Sequence, residues 1–404
     1  MCDAYVINTC TVTAESDRKC RQIIRRAVKR NPRAVVAAVG CYTQRSSPEV
    51  LSIPGVDIVI GTDGKMGVIP AVIERLENGA AEQYASVSDV SCAEFEPMRI
   101  TSAPRTRAYV KIEDGCECRC TYCAISDARG RVRSKPREDV ISEVEALSSS
   151  GIREVVLTGI ETGSYGKDFD EKYTLADLIG ELDKRGSCSQ IRLGSLAPEL
   201  VGEDFVEKVR NTKILVPHFH ISMQSGSDKV LRDMKRRYTR ERALQNIKRL
   251  KDAFPRAHFT TDLMVGFPGE SEEDFLLTCD FVREARLLDA HVFAYSRRHG
   301  TPAASFPMQV EESVKRERSE RLIKIAHAMR DEILADTVAD KTPLHVICES
   351  LADDGYLVGH SDNYIEVKFL AENGESLIGE EVKVVPVSHK DGILYCEIAE
   401  IISK

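Results

Sequence analysis

The chain has 404 residues, 42% of them hydrophobic, and a formal net charge of −8. That length suffices for two or three domains with cores of their own, and the acidic balance excludes a protein that coats nucleic acid indiscriminately, because such binding scales with the phosphates neutralised. No run of eighteen apolar residues occurs and the start lacks a secretory signal, so a cytoplasmic protein without a membrane span is expected; thirteen cysteines then point to metal ligation in a reducing compartment rather than to a disulfide framework.

In chain order, residues 4–9, 34–39 and 56–60 are short apolar runs of buried-strand type, with helical spacing at 15–30 and 65–77. They predict a small α/β domain with a parallel sheet over 1–80. Residues 81–104, rich in Ser, Pro and charge without a clear period, read as a linker. Apolar runs then recur at 108–112, 153–158, 190–194, 217–222, 258–265 and 289–295, with helical patterns at 137–148, 174–185, 203–210, 239–253 and 271–285. Repeated β-then-α units give a parallel sheet with right-handed crossovers. Six strands are too few for the closed eight-stranded barrel, so a partial, open barrel over 105–337 is expected, ending in a charged helix at 310–336. Residues 342–401 alternate between strand patterns and Asp-Asp-Gly, Glu-Asn-Gly and Lys-Asp-Gly turns, predicting a small antiparallel barrel of roughly OB-fold size over 338–404. The fold class is α/β.

The densest chemical signal is Gly-Cys-Glu-Cys-Arg-Cys-Thr-Tyr-Cys at 115–123, in which Cys116, Cys120 and Cys123 form C-x3-C-x2-C. Three thiolates on one loop hold three irons of a 4Fe-4S cube and leave the fourth open, whereas a closed, redox-inert site takes four protein ligands. A zinc knuckle completed by the spare Cys118 is the alternative, in a protein that binds RNA without catalysis. The spacing is uncommon for zinc. A second signal comes from residues 6–13, Val-Ile-Asn-Thr-Cys-Thr-Val-Thr, and 38–42, Ala-Val-Gly-Cys-Tyr, which place Cys10 and Cys41 at the carboxyl ends of predicted parallel strands, where open α/β sheets bind ligands. Buried free cysteine is the competing reading there.

The C-x3-C-x2-C spacing resembles the radical S-adenosylmethionine superfamily. The order of parts, the words around the two cysteine sets and the terminal small barrel look like its methylthiotransferase family, over essentially the whole chain. The resemblance implies two 4Fe-4S clusters: a radical cluster on Cys116, Cys120 and Cys123 that binds S-adenosylmethionine, and an auxiliary sulfur-carrying one on three cysteines, of which Cys10 and Cys41 match the second and third. The first would lie upstream of Met1, so a truncated start is expected; Cys2 and Cys20 are the nearby substitutes, with Cys20 placed by its helical pattern away from the strand ends. The resemblance also implies a terminal TRAM domain that engages RNA, an external electron donor such as flavodoxin or ferredoxin, and a monomer. Residues 192–200, 217–226 and 292–303 are most similar to the branch that acts on threonylcarbamoyladenosine beside the anticodon of tRNA. Branches acting on isopentenyladenosine in tRNA or on a ribosomal-protein aspartate are the alternatives.

Further cofactor contacts follow from the resemblance: Tyr122 at the adenine, Gly159 and Glu161 in the Thr-Gly-Ile-Glu-Thr-Gly turn, Arg192 and Ser195 at the third barrel strand, Gln224 at the fourth and Asp262 in the fifth. The charge run Arg129, Arg131, Arg133, Lys135 directly follows the cysteine loop and is expected to meet RNA, as is Tyr364 by stacking. Residues 341–404 carry five lysines against twelve Asp and Glu, so the bulk charge of the terminal barrel forms no phosphate funnel.

Overall fold

The computed structural model describes residues 2–79, 82–103, 106–371 and 374–402. It divides into two compact units: Met1–Met98 with Asp114–Arg133 and Ser296–Phe306, and Arg99–Glu113 with Ser134–Tyr295 and Pro307–Lys404. This differs from the contiguous division expected, because the cysteine loop and the 296–306 segment each leave the barrel sequence to pack with the first unit.

In the first unit, β1 (Ala4–Thr9), β2 (Val35–Gly40), β3 (Ile58–Ile60) and β4 (Tyr84–Ser86) form one parallel sheet in that order. α1 (Ala14–Arg30) is capped by the Thr13 side chain and carries acidic residues in its first turn and basic ones in its last, both favourable with the helix dipole. It buries Cys20, Ile24 and Ala27 against Val36, Ala38 and Val59. α3 (Val68–Asn78) covers the other face, its Val68 and Val72 packing on Val35, Ala37 and Ile60. Two features escape the sequence pattern. α2 (Cys41–Leu51) is broken at Ser46 and contains Pro48, which blurs its period. β4 falls inside the expected linker, which is thereby corrected: only three residues long and half-exposed, it gains its backbone partners from β3 rather than from a hydrophobic run of its own. Residues 81 and 104, the ends of that linker, lie outside the described residues.

The two-residue strands β6 (Glu113–Asp114) and β7 (Arg133–Ser134) flank the cysteine loop in sequence; in the second unit, β5 (Arg107–Lys111), β8 (Glu154–Thr158) and β9 (Gln190–Leu193) make one parallel sheet, and β10 (His218–Gln224), β11 (His258–Val265) and β12 (Asp289–Ala294) another. Isolated parallel bridges at Ile191↔Leu215 and Leu196↔Ile221 continue β9 toward β10. The six strands form the expected open partial barrel, with α5 (Arg137–Ser149), α6 (Leu175–Arg185), α7 (Glu203–Val209), α9 (Arg240–Ala253) and α10 (Glu272–Ala285) in the crossovers. α6 and α10 both open on capping boxes, Thr174 with Asp177 and Ser271 with Asp274. The core of this barrel runs on without interruption through Leu322, Ala326, Met329 and Ile333 of α11 (Glu312–Asp340) into the terminal strands. There β13 (Leu344–Leu351), β14 (Leu357–Ser361), β15 (Glu366–Phe369), β16 (Glu381–Lys390) and β17 (Ile393–Ile402) close into a barrel in the order β13-β14-β15-β17-β16. The β15–β17 pair is parallel, which corrects the wholly antiparallel expectation. Among the described residues no helix is long and apolar enough to cross a membrane.

Candidate active site: two cysteine sets and a polar lumen

The cysteine loop is shaped by its backbone. Gly115 has φ +89, and a Cβ there would stand 1.8 Å from the carbonyl oxygen of Arg131, so only glycine fits. The Cys116 amide donates to Gly130 O (3.0 Å), tying the start of the loop to the residue after α4 (Ile125–Arg129), and that of Cys123 to Cys120 O (3.0 Å), closing a short turn between the second and third cysteines. The Ile125 amide donates to Cys123 Sγ at 3.4 Å. Within the same unit Ala303 of the 296–306 segment donates its amide to Thr121 O (2.9 Å), and Arg298 of that segment holds Thr11 Oγ1 (2.5 Å) and Asp17 (2.7 Å), next to Cys10.

Because Thr9 and Gly40 are in register at the ends of β1 and β2, Cys10 and Cys41 leave the sheet side by side. Arg129 Nε lies 3.1 Å from Cys41 Sγ, and its Nη1 is 2.9 Å from Asp114 Oδ2. Burial works against the Arg129 charge, but Asp114 and Cys41 together raise its pKa further. Cys20 is not remote from this end of the sheet, as its helical pattern implied: its Sγ accepts from the Cys10 amide at 3.4 Å and lies 3.6 Å from Cys10 O, because one α1 face turns back over the end of β1. Burial, the main cause, pushes the Cys20 thiol up. Among the described residues no three His, Cys, Asp or Glu converge to hold a single metal ion. A cube offers each thiolate a different iron and does not require that convergence.

Sequence comparison matches residues 110–282 to the Radical SAM superfamily and residues 1–61 to the Uncharacterized protein family UPF0004. The chain is 40% identical over 388 residues to the threonylcarbamoyladenosine tRNA methylthiotransferase MtaB of Bacillus subtilis (strain 168), covering 95% of this chain and 85% of that one. The chain belongs to the methylthiotransferase family of radical S-adenosylmethionine enzymes. The MtaB of Thermotoga maritima is 34% identical over 97% of the chain and 88% of its own length, and the tRNA-2-methylthio-N(6)-dimethylallyladenosine synthase of Carboxydothermus hydrogenoformans is 33% identical over 97% and 90%. In fold, the chain resembles the radical S-adenosylmethionine methyltransferase TsrM of Kitasatospora setae (TM-score 0.57, 16% identity, 74% of this chain); it spans 64% of that protein's length. A 4Fe-4S cluster and S-adenosylmethionine are the cofactors of this superfamily, and the donor set fits: thiols on one tight loop, with an amide aimed at one sulfur.

The remaining expected residues of this methylthiotransferase divide sharply. The turn after β8 is rigid: a Cβ on Gly159 would lie 2.5 Å from Glu113 Oε2, which accepts the Glu161 amide (3.0 Å), while Glu161 Oε1 accepts the Ala197 amide (3.0 Å). Gln224, buried at the end of β10 with φ +68, follows a register shift in that strand. Arg192, expected at the cofactor, is instead committed elsewhere. Its Nη2 meets Glu154 Oε2 (2.6 Å), its Nη1 donates to Asp362 O (3.1 Å), and its guanidinium covers the Tyr364 ring at 5.1 Å. Burial alone would raise the Glu154 carboxyl; Arg192 and Arg107 on either side outweigh it and hold it below its ordinary value.

Three of the four charged side chains expected to meet RNA are engaged within the protein. Lys135 is buried in an ion pair with Glu143, and Arg133 is buried against Asp114 and the carbonyls of Arg129 and Arg131. Arg129 is held as described, and only Arg131 of the four is exposed. Alternation in the sequence resembled a solvated strand; local carboxylates claim three of the four charges. Tyr364 has its ring stacked on His218 at 4.2 Å and 15°, so that face is not open to a base.

The sequence singled out Arg192, Ser195 and Asp262 but not the lumen they share with other residues. At alternate positions of the barrel strands, Arg107, Tyr109, Arg192, His218, His220, Asp262 and His291 line a cavity of about 300 Å³ together with Ser195. The period-two spacing His218, His220 and Thr260, Asp262 carries this information, since residues two apart share a strand face. His220 satisfies both ring nitrogens, on Thr260 and Asp262.

Proposed function

We propose that this methylthiotransferase acts on tRNA, placing a methylthio group at C2 of N6-threonylcarbamoyladenosine beside the anticodon. The observation that carries the methylthio chemistry is the gathering of both cysteine sets into one compact unit, with Arg129 of the radical loop donating to the sulfur of strand-end Cys41. The names of the first relatives, at 40% and 34% identity, support the threonylcarbamoyl substrate over the dimethylallyl one.

In this reading Cys116, Cys120 and Cys123 hold the radical cluster, and Cys10 and Cys41 two irons of an auxiliary one. With S-adenosylmethionine these groups supply a carbon radical and a methylated sulfur, chemistry that an aromatic C–H without an acidic proton requires. The chain's own residues then orient and shield. In the second unit the rigid Gly159–Glu161 turn seats S-adenosylmethionine. Arg129 holds the Cys41 sulfur toward the radical loop. Ser195 borders the lumen. A flavodoxin or ferredoxin supplies electrons in the cytoplasm, and the chain acts as a monomer. Nucleoside mass spectrometry of tRNA from cells with and without the gene tests the substrate: 2-methylthio-N6-threonylcarbamoyladenosine should vanish with the gene. Loss of the dimethylallyl product instead would overturn it.

A further inference from the structure

The lumen contains a hydrogen-bonded relay that no part of the mechanism above uses. His218 Nε2 lies 3.0 Å and His220 Nδ1 2.9 Å from the single hydroxyl of Thr260; His220 Nε2 lies 3.2 Å from Asp262 Oδ2, and His291 Nδ1 3.4 Å from Asp262 Oδ1. Directions follow from the inventory of protons. Burial favours neutral Asp262, but His220 and His291 overcome it and keep the carboxyl ionised, so it accepts from both rings. With the His220 ring proton on Nε2, facing Asp262, its Nδ1 accepts from Thr260 Oγ1, Thr260 Oγ1 accepts from His218 Nε2, and His218 Nδ1 is left an acceptor, buried and without a partner. At the opposite end His291 stands on β12, the last strand of its sheet, with its side chain 75% exposed.

Asp262 and His291 each precede the carboxyl end of their strand by three residues, about 10 Å at the rise of a strand. Chemistry in β/α barrels takes place at those carboxyl ends. The relay therefore lies at the depth of a substituent on the reacting ring, not of the ring itself. A hydrocarbon substituent would strip water from Asp262 and His220 without replacing its hydrogen bonds, whereas one with its own N–H, O–H and carboxylate groups restores them.

We propose that the lumen binds a polar, carboxylate-bearing N6 arm of the target adenosine, with Asp262 accepting from the arm's N–H or O–H donors and His291 pairing with its carboxylate. This rests on the substrate reading above and makes Asp262 and His291 its specificity-determining residues. Asp262, expected at S-adenosylmethionine, is reassigned to the substrate on this geometry.

The test uses the full-length protein with both clusters reconstituted and three anticodon stem–loop RNAs that differ only at the N6 position: threonylcarbamoyl, dimethylallyl or unsubstituted. Binding is read by fluorescence anisotropy, with iron content and melting temperature as controls of loading and folding. The parent should bind the threonylcarbamoyl RNA about tenfold more tightly than the unsubstituted one, and His291→Phe and Asp262→Asn should each remove most of that preference. His291 is largely solvent-exposed, so its replacement leaves the core intact. If the parent shows the preference and both variants keep it, the lumen assignment falls and the substrate reading stands. A parent without any preference for the threonylcarbamoyl arm overturns the substrate reading and this assignment with it.

Discussion

A guanidinium against a proposed cluster ligand would change what that cluster does as well as where it sits. Arg129 brings a fixed positive charge and a donor to Cys41 Sγ, and Asp114 fixes its plane. Hydrogen bonds and cations at the sulfurs favour the more negative, reduced cluster and so raise its potential. Arg129→Gln should load iron normally yet shift the auxiliary cluster's midpoint to a more negative value in an EPR-monitored redox titration; an unchanged midpoint would deny Arg129 that role. The ligands themselves separate by product. Cys116→Ala, Cys120→Ala or Cys123→Ala should abolish both the radical cluster and 5'-deoxyadenosine formation, while Cys118→Ala retains both. Cys10→Ala with Cys41→Ala should retain 5'-deoxyadenosine and lose the methylthio product. Iron analysis beside chromatography of the two products reads all of these. The same iron count on Cys20→Ala decides whether the thiol packed on the Cys10 backbone ligates or merely fills space.

At the scale of elements, the segments flanking the cysteine loop are held by buried charge. Lys135 and Glu143, each about 2% exposed, pair just beyond the loop at the start of α5. Removing one partner strands the other charge in the interior. Lys135→Met should therefore cost about 3–5 kcal/mol in urea denaturation, whereas the double replacement with Glu143→Leu should recover most of that loss. Equal stability of the single and double variants would show that the pair carries no mutual energy. Gly115 sets the loop from the other side: Gly115→Ala must displace the Arg131 carbonyl, and the expected readout is loss of reconstituted iron.

Across the whole molecule, pH acts through the lumen. His218 is buried beside Arg192, and burial, the principal cause, drives its pKa well below the ordinary 6.5. A histidine kept neutral in the folded state loses stability as pH falls: its contribution is complete above 6.5, where the unfolded chain is neutral too, and declines below that by about 1.4 kcal/mol per pH unit. Glu154 acts in the same direction but lower, below about 4.5, because its folded pKa is depressed. Urea denaturation of cluster-free protein between pH 7.5 and 5 should show the first loss, reduced in His218→Asn; the same slope in both would exclude His218 as its source. Sequence alone determined the α/β class, the six barrel strands to within a residue or two, and the positions of both cysteine sets, because period-two and period-3.6 burial and the spacing of thiols on one loop are local properties. Only the tertiary structure decided which charges are free. Arg129, Arg133 and Lys135 look like an RNA surface until Cys41, Asp114 and Glu143, distant by up to 88 residues, take them up. The same holds for the lumen relay, whose histidines and aspartate come from three strands and meet only when the parallel register sets them side by side.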